Sequence, residues 1–251
     1  MKRFLHNALF LSFCAGAIVL ASSLCTPALA QAPTQFRYTH TQVKPEMLNE
    51  WFDLQKNEVV PALKKAGVTT RAVLVANLFG NSFEYVTVTP FAKYADFDGE
   101  GPLVRALGQA AAARLNEKLR RCVASQVSYA GTRLTDISNV IDGPPSAVIV
   151  TVRYRIASGK MADFRDLVKS DVLPVYKKAN VRLTVTQRGP GANVNDVTMS
   201  TGYAKYADLD GGPVLTKQLG ADGAAKVNAK FAPFRTLVEV VVRRRVEDLS
   251  F

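Results

Sequence analysis

An α+β chain made of two copies of a β-α-β-β-α-β unit is expected from three features of the sequence. Ala92-Lys93-Tyr94-Ala95-Asp96-Phe97-Asp98-Gly99 returns 112 positions later as Ala204-Lys205-Tyr206-Ala207-Asp208-Leu209-Asp210-Gly211, with only Phe97 and Leu209 differing. Around that anchor Val60 to Ala66 aligns with Leu173 to Ala179, Leu107-Gly108 with Leu219-Gly220, and Asp136-Ile137-Ser138 with Asp248-Leu249-Ser250. In both copies, runs of alternating polarity and runs of helical spacing follow one another in the same order.

In the first copy, Phe36 to Val43 reads as a strand, and Pro45 to Lys65 carries Met47, Trp51, Leu54, Val59 and Leu63 at helical spacing. Pro45 suits a first helical turn and Gly67 a stop. Arg71 to Leu78 and Phe83 to Thr89 are β-rich runs flanking Phe79-Gly80-Asn81-Ser82, a hairpin signal. Leu103 to Leu119 places Val104, Leu107, Ala111 and Leu115 on one helical face, and Cys122 to Tyr129 closes the unit as a strand. The second copy repeats the order over Ala147 to Ile156, Met161 to Lys178, Arg182 to Arg188, Asp196 to Thr201, Leu215 to Phe231 and Phe234 to Arg245. The Gly143-Pro144-Pro145 turn separates the copies, which gives one repeat over 31–140 and a second over 146–251.

Residues 1–30 read as a cleaved signal peptide. Lys2 and Arg3 precede the apolar run Ala8 to Ala21, and small residues close it at Ala28-Leu29-Ala30. A membrane anchor needs about 20 apolar residues, more than this run supplies. Leu24 stands where lipidation of Cys25 would require a small residue, which disfavours a lipoprotein. The expected destination is periplasmic or extracellular, with no integral membrane segment after cleavage. The mature chain would hold 221 residues with a formal charge of +9 and one cysteine, Cys122, so no intramolecular disulfide can form. Cys122 lies in an apolar stretch and reads as a buried thiol.

The β-α-β-β-α-β order with antiparallel hairpins is the ferredoxin-like arrangement, in which helices cover one face of a four-stranded sheet. An open apolar face is unstable alone, and two such sheets packed face to face bury it. On this element order and duplication the chain resembles the dimeric α/β barrel superfamily, and within it tandem forms related to NIPSNAP-like, antibiotic-biosynthesis-monooxygenase-like and chlorite-dismutase-like domains. The resemblance implies an intramolecular dimeric α/β barrel with a cavity between the sheets and helices. Related folds use that cavity as cofactor-free oxygenases, isomerases, haem enzymes or proteins without known catalysis, so the site must decide the function.

Comparison of the two copies supplies candidate residues. Val73 and Val75 align with Thr184 and Thr186, Val86 and Val88 with Thr198 and Ser200, and Val127 with Glu239. If that face lines the cavity, Thr184, Thr186, Thr198 and Ser200 form a hydroxyl-rich ligand site, with Glu239 as its acid and Arg153 as its anion partner. If it faces outward, the same threonines are ordinary solvent-side strand residues. His40 is the only histidine of the expected mature chain and aligns with Arg153. With Tyr38 on the same strand face it is a candidate acid or base, although a lone strand histidine is more often structural.

Several other chemistries have no residues to carry them. One histidine and one cysteine exclude a His/Cys zinc cluster. The chlorite-dismutase resemblance would want a ligand histidine on a helix of the second copy, which contains none, so no cofactor is expected. Asp96-Phe97-Asp98-Gly99 and Asp208-Leu209-Asp210-Gly211 look faintly like calcium loops without the further oxygen ligands; their aspartates suit turns and helix starts, with Tyr94 and Tyr206 packing the corner. Positive charge is spread out except at Arg120-Arg121 and Arg243-Arg244-Arg245, with no phosphate loop and no basic-aromatic interleaving, so nucleic acid is not an expected partner.

The sequence therefore predicts an exported protein that binds a small organic ligand, with two other readings open. One is a cofactor-independent monooxygenase or isomerase using His40, Tyr38, Arg153 and Glu239. The other is a structural or interaction protein with a filled core. Homodimer formation is also left open.

Overall fold

The computed structural model describes residues 34–251, and the expected leader lies outside them. The first copy runs β1 (Gln35–Val43), α1 (Leu48–Leu54), α2 (Val60–Lys65), β2 (Ala72–Val75), β3 (Glu84–Phe91), α3 (Pro102–Leu107), α4 (Gln109–Cys122) and β4 (Val123–Arg133). The second runs β5 (Val148–Ile156), α5 (Met161–Leu167), α6 (Leu173–Lys178), β6 (Arg182–Arg188), β7 (Asp196–Tyr203), α7 (Val214–Phe231) and β8 (Arg235–Arg245).

Two departures from regular helices recur in both copies and have chemical causes. α1 passes into α2 through a π turn at Gln55–Val59, and α5 into α6 through one at Val168–Val172. Pro61 and Pro174 follow these turns. Proline offers no N–H and its ring crowds the carbonyl four residues back, so the wider turn admits it. The helix expected over Leu103–Leu119 breaks at Gly108, whose φ of 77° only glycine adopts readily, and Gly220 kinks α7 at the matching place with φ 72°.

The eight strands close into one antiparallel barrel in the order β1-β3-β2-β8-β5-β7-β6-β4. The first copy contributes β4-β1-β3-β2 and the second β8-β5-β7-β6, the same internal order. The sequence suggested two sheets stacked face to face; the structure joins them by their edges. Leu74 and Val75 of β2 pair with Arg245 and Arg244 of β8, and Gly131 to Arg133 of β4 pair with Arg188 to Thr186 of β6. Edge joining gives backbone N–H and C=O groups partners that stacking would leave to solvent.

Alternation gives every strand an outer face toward the helices and an inner face toward the barrel axis. The outer face builds two apolar cores. One gathers Val43, Trp51, Leu54, Val73, Val75, Leu115 and Cys122, the other Ile156, Phe164, Val168, Leu183, Val185, Val197 and Phe231. Cys122 is buried, as the sequence suggested, and its Sγ–H donates to the Lys118 carbonyl at 3.4 Å.

The repeated Asp-x-Asp-Gly corner is structural. Asp96 Oδ2 accepts from the Ala92 and Lys93 amides, both at 3.1 Å, and Asp208 Oδ2 accepts from Ala204 and Lys205 at the same distances. The tyrosines depart from the corner packing expected of them. Tyr94 is exposed and meets Phe91 edge-on, whereas the Tyr206 hydroxyl donates to Asn77 Oδ1 at 3.0 Å across the two copies.

Candidate binding site

The residues that the sequence singled out lie on the inner face of the barrel, where Tyr38 and Thr186, and Arg153 and Glu239, meet one another and His40, Thr198 and Ser200 meet neighbouring side chains. Tyr38 stacks on Tyr129 at 5.1 Å with ring planes 8° apart, and its hydroxyl lies 3.4 Å from Thr186 Oγ1. His40 Nδ1 stands 3.3 Å from Glu84 Oε1, which also accepts from Arg243 Nη2 at 2.9 Å. Arg153 donates to Glu239 Oε2 at 3.3 Å and to Asp196 Oδ2 at 3.2 Å. Thr198 Oγ1 accepts from Arg188 Nε at 3.3 Å, Ser200 Oγ is 3.4 Å from Thr151 Oγ1, and Thr184 sits opposite Ser200. Burial and neighbouring charge shape this cluster: burial pushes the Tyr38 phenol up and the Tyr129 phenol to about 12. Thr186 and Thr198 are buried, whereas Thr184 and Ser200 are half-buried.

One alignment needs correction. Asn139 and Leu183 exchange backbone hydrogen bonds of 2.8 and 3.0 Å, and Phe251 and Arg71 exchange two of 2.8 Å, which fixes Arg71 as the counterpart of Leu183. Thr184 and Thr186 therefore match Ala72 and Leu74. Val73 and Val75 match Val185 and Gln187 and face the helices. A slip of one residue inverts the face of a strand.

With the register set, the copies have exchanged polarity. On the inner face the first copy carries Ala72, Leu74, Val86 and Val88 where the second carries Thr184, Thr186, Thr198 and Ser200. On the outer face the order reverses. The first copy shows Thr39, Thr41 and Thr87 beneath its helices, and the second shows Val152, Tyr154 and Met199. The polar inner cluster therefore belongs mainly to one copy and the polar helix-facing floor to the other.

Two cavities lie on the outer face, beneath the helices. In the first copy one of about 370 Å³ is roofed by Trp51, Val59, Leu63, Leu103 and Leu119 and floored by Thr39, Thr41, Thr87, Thr89 and Gln126. In the second copy one of about 430 Å³ occupies the matching position, walled by Val152, Tyr154, Met199, Leu215 and Leu237. His40, Tyr38, Glu239 and the four hydroxyl residues line neither, and Arg153 likewise faces the barrel.

Arg71 and Gln55 also line the first cavity, and the sequence reading did not single them out. Arg71 Nη2 donates to Gln55 Oε1 at 2.7 Å, and Nη1 donates to the Leu249 carbonyl at 3.4 Å. Arg71 is 5% exposed and Gln55 8%. Desolvation lowers the Arg71 guanidinium to about 10. Aligning the copies in the observed register would have exposed the pair, since Val168 and Leu183 replace it in the second copy.

No protein-family model and no curated protein matches this sequence. Solved structures do match its fold. A monooxygenase-like protein from Lactobacillus acidophilus NCFM aligns over 85% of this chain and 93% of its own, with 10% identity and a TM-score of 0.54. A heme-binding protein from Thermus thermophilus aligns over 86% and 92%, with 11% identity and a TM-score of 0.50. A chlorite dismutase variant from Candidatus Nitrospira defluvii aligns over 86% and 94%, with 9% identity and a TM-score of 0.51. At such identities the likeness shows a shared dimeric α/β barrel fold.

The side chains of the two cavities do not fit haem. Protein ligands to haem iron are histidine, cysteine thiolate, methionine with histidine, or tyrosine. His40 is held at Glu84 on the inner face, and Cys122 is fully buried. Met199 lines the second cavity without a histidine beside it. Tyr154, Tyr176 and Tyr203 also line the second cavity; the Tyr176 hydroxyl is 3.1 Å from Thr201 Oγ1, and burial raises the pKa of all three phenols, which disfavours the phenolate.

Proposed function

We propose that this protein binds a small organic molecule in the cavity between the helices and the sheet of its first copy. The observation that carries the reading is the cavity's construction: an apolar roof with Trp51 and Leu63 over a floor of four threonines, in a volume of about 370 Å³. Concave, largely apolar sites with a few placed polar groups are how proteins hold small ligands. We also read the molecule as two fused ferredoxin-like repeats acting outside the cytoplasm, which the duplicated element order and the leader-like residues 1–30 support.

The fold likeness to a monooxygenase-like protein favours a second reading, a cofactor-independent oxygenase or isomerase. It would need a general acid or base at the ligand. The first cavity is lined by Thr, Gln, Asn and Arg with apolar side chains, and has no histidine, carboxylate, cysteine or tyrosine in its wall. His40, Tyr38, Arg153 and Glu239 would have to act from the inner face. Binding without chemistry is the reading that the wall supports better.

Trp51 is the only tryptophan of the chain, and it lines this cavity. Its fluorescence therefore reports occupancy. Titration with 8-anilinonaphthalene-1-sulfonate should quench Trp51 by energy transfer in the full protein, and Thr87→Phe, which fills the floor, should abolish the effect. Equal quenching in the folded variant would place binding elsewhere.

A further inference from the structure

We propose that the first cavity is specific for a carboxylate, which Arg71 receives as the ionic partner that the protein itself withholds. The inference rests on the reading of this cavity as the binding site and names the class of molecule it takes.

The internal duplication provides the control. Arg71 and Leu183 hold the same place in the fold, fixed by matching pairs of backbone hydrogen bonds to Phe251 and Asn139. Beneath them, Gln55 and Val168 occupy corresponding positions in the two π turns. Leu183 and Val168 are both fully buried, so this fold closes its core there with two aliphatic side chains. The first copy instead buries a cation and an amide. Burial of a guanidinium is unfavourable unless charge compensates it.

Compensation from the protein is incomplete. The Arg71 guanidinium reaches two neutral oxygens, of Gln55 and Leu249, and among the described residues no aspartate or glutamate pairs with it. Burial is the cause of its lowered pKa. The cavity wall contains no carboxylate at all, and its other charged group is Arg37. An anion entering here meets an already desolvated, oriented donor, and no water-filled shell must be rebuilt around the pair. Guanidinium and carboxylate match in planar fork geometry. The apolar roof suits a hydrocarbon body of the same molecule, which favours an organic acid over inorganic phosphate.

The test uses octanoate, 1-octanol and octyl phosphate as probes, with Trp51 fluorescence as the readout on the full protein. The variant is Arg71→Leu with Gln55→Val, which installs the pair already present in the second copy and leaves no stranded amide partner. Octanoate should bind at least tenfold more tightly than 1-octanol to the wild type. The double variant should bind the two equally while unfolding at the same temperature as the wild type or higher. Equal affinity of the wild type for acid and alcohol would sink the carboxylate assignment and leave the cavity as the site. Preference for octyl phosphate over octanoate, or an unchanged acid preference in the variant, would overturn it too. If none of the three probes alters Trp51 in the wild type, the site reading itself fails and carries this proposal with it.

Discussion

Arg155 Nε donates to Asp196 Oδ1 at 2.7 Å, and together with Arg153 it holds a carboxylate that is only 2% exposed on the inner face of the barrel. Burial pushes the Asp196 carboxyl up, but the hydrogen bonds and charges of Arg155 and Arg153 outweigh it and keep the pKa below the usual carboxylate range. Asp196→Ala would leave Arg153 in the barrel with Glu239 alone. The expected loss is up to about 3 kcal/mol, the lower side of the range for breaking a buried pair, because Arg155 reaches water. Urea unfolding followed by circular dichroism measures it, and an unchanged midpoint would show the network to be dispensable.

Glu84 gives the protein a defined acid sensitivity. Hydrogen bonding to His40 is the largest cause that lowers its pKa, with Arg243 adding to it against the opposing effect of burial, and the value falls from 4.5 to about 2. A carboxylate depressed in the folded state stabilises above its unfolded pKa, and that contribution is lost as pH falls through the folded value. Between pH 4.5 and about 2 the unfolded chain binds the extra proton, so stability should fall with pH across that window. Glu84→Gln should flatten this part of the curve of melting temperature against pH. An identical acid limb in the variant would remove Glu84 from the account.

The seam between β4 and β6 depends on the absence of a side chain at Gly131. A Cβ there would lie 2.8 Å from Thr186 Cγ2 and 2.9 Å from Tyr38 Cε2. Neither neighbour can retreat freely, since Tyr38 is stacked on Tyr129 and Thr186 is buried. Gly131→Ala should therefore cost about 1–3 kcal/mol by overpacking. Thr186→Ser, which removes the nearer methyl, should recover part of that loss in the double variant. Melting temperatures of the four proteins in this cycle decide it, with strict additivity as the contrary result.

Much of the architecture was legible from residue pattern. The two copies, their order of elements and the turn role of Asp96 and Asp208 all follow from repetition, periodicity and capping chemistry. Less was legible wherever a property depends on which face of a strand a residue takes. Pairing Val73 with Thr184 is one position out of register, and that slip matches a helix-facing valine to a barrel-facing threonine. It also hides a contrast between the copies that concerns a buried charge, Arg71 against Leu183.

Residue pattern alone was enough to find the stretch that recurs 112 positions on, the strand-helix-strand-strand-helix-strand order that runs twice, and the matching turns at Asp96 and Asp208, because these are matters of local sterics and spacing. Tertiary structure decided how the copies meet, edge to edge through β2–β8 and β4–β6, because strand edges carry the same backbone groups whatever their side chains. It also decided that His40, Tyr38, Arg153 and Glu239 partner residues inside the barrel while Trp51, Gln55 and Arg71 surround a cavity outside it. Burial and ion pairing between residues as distant in sequence as Glu84 and Arg243 exist only once the barrel has closed.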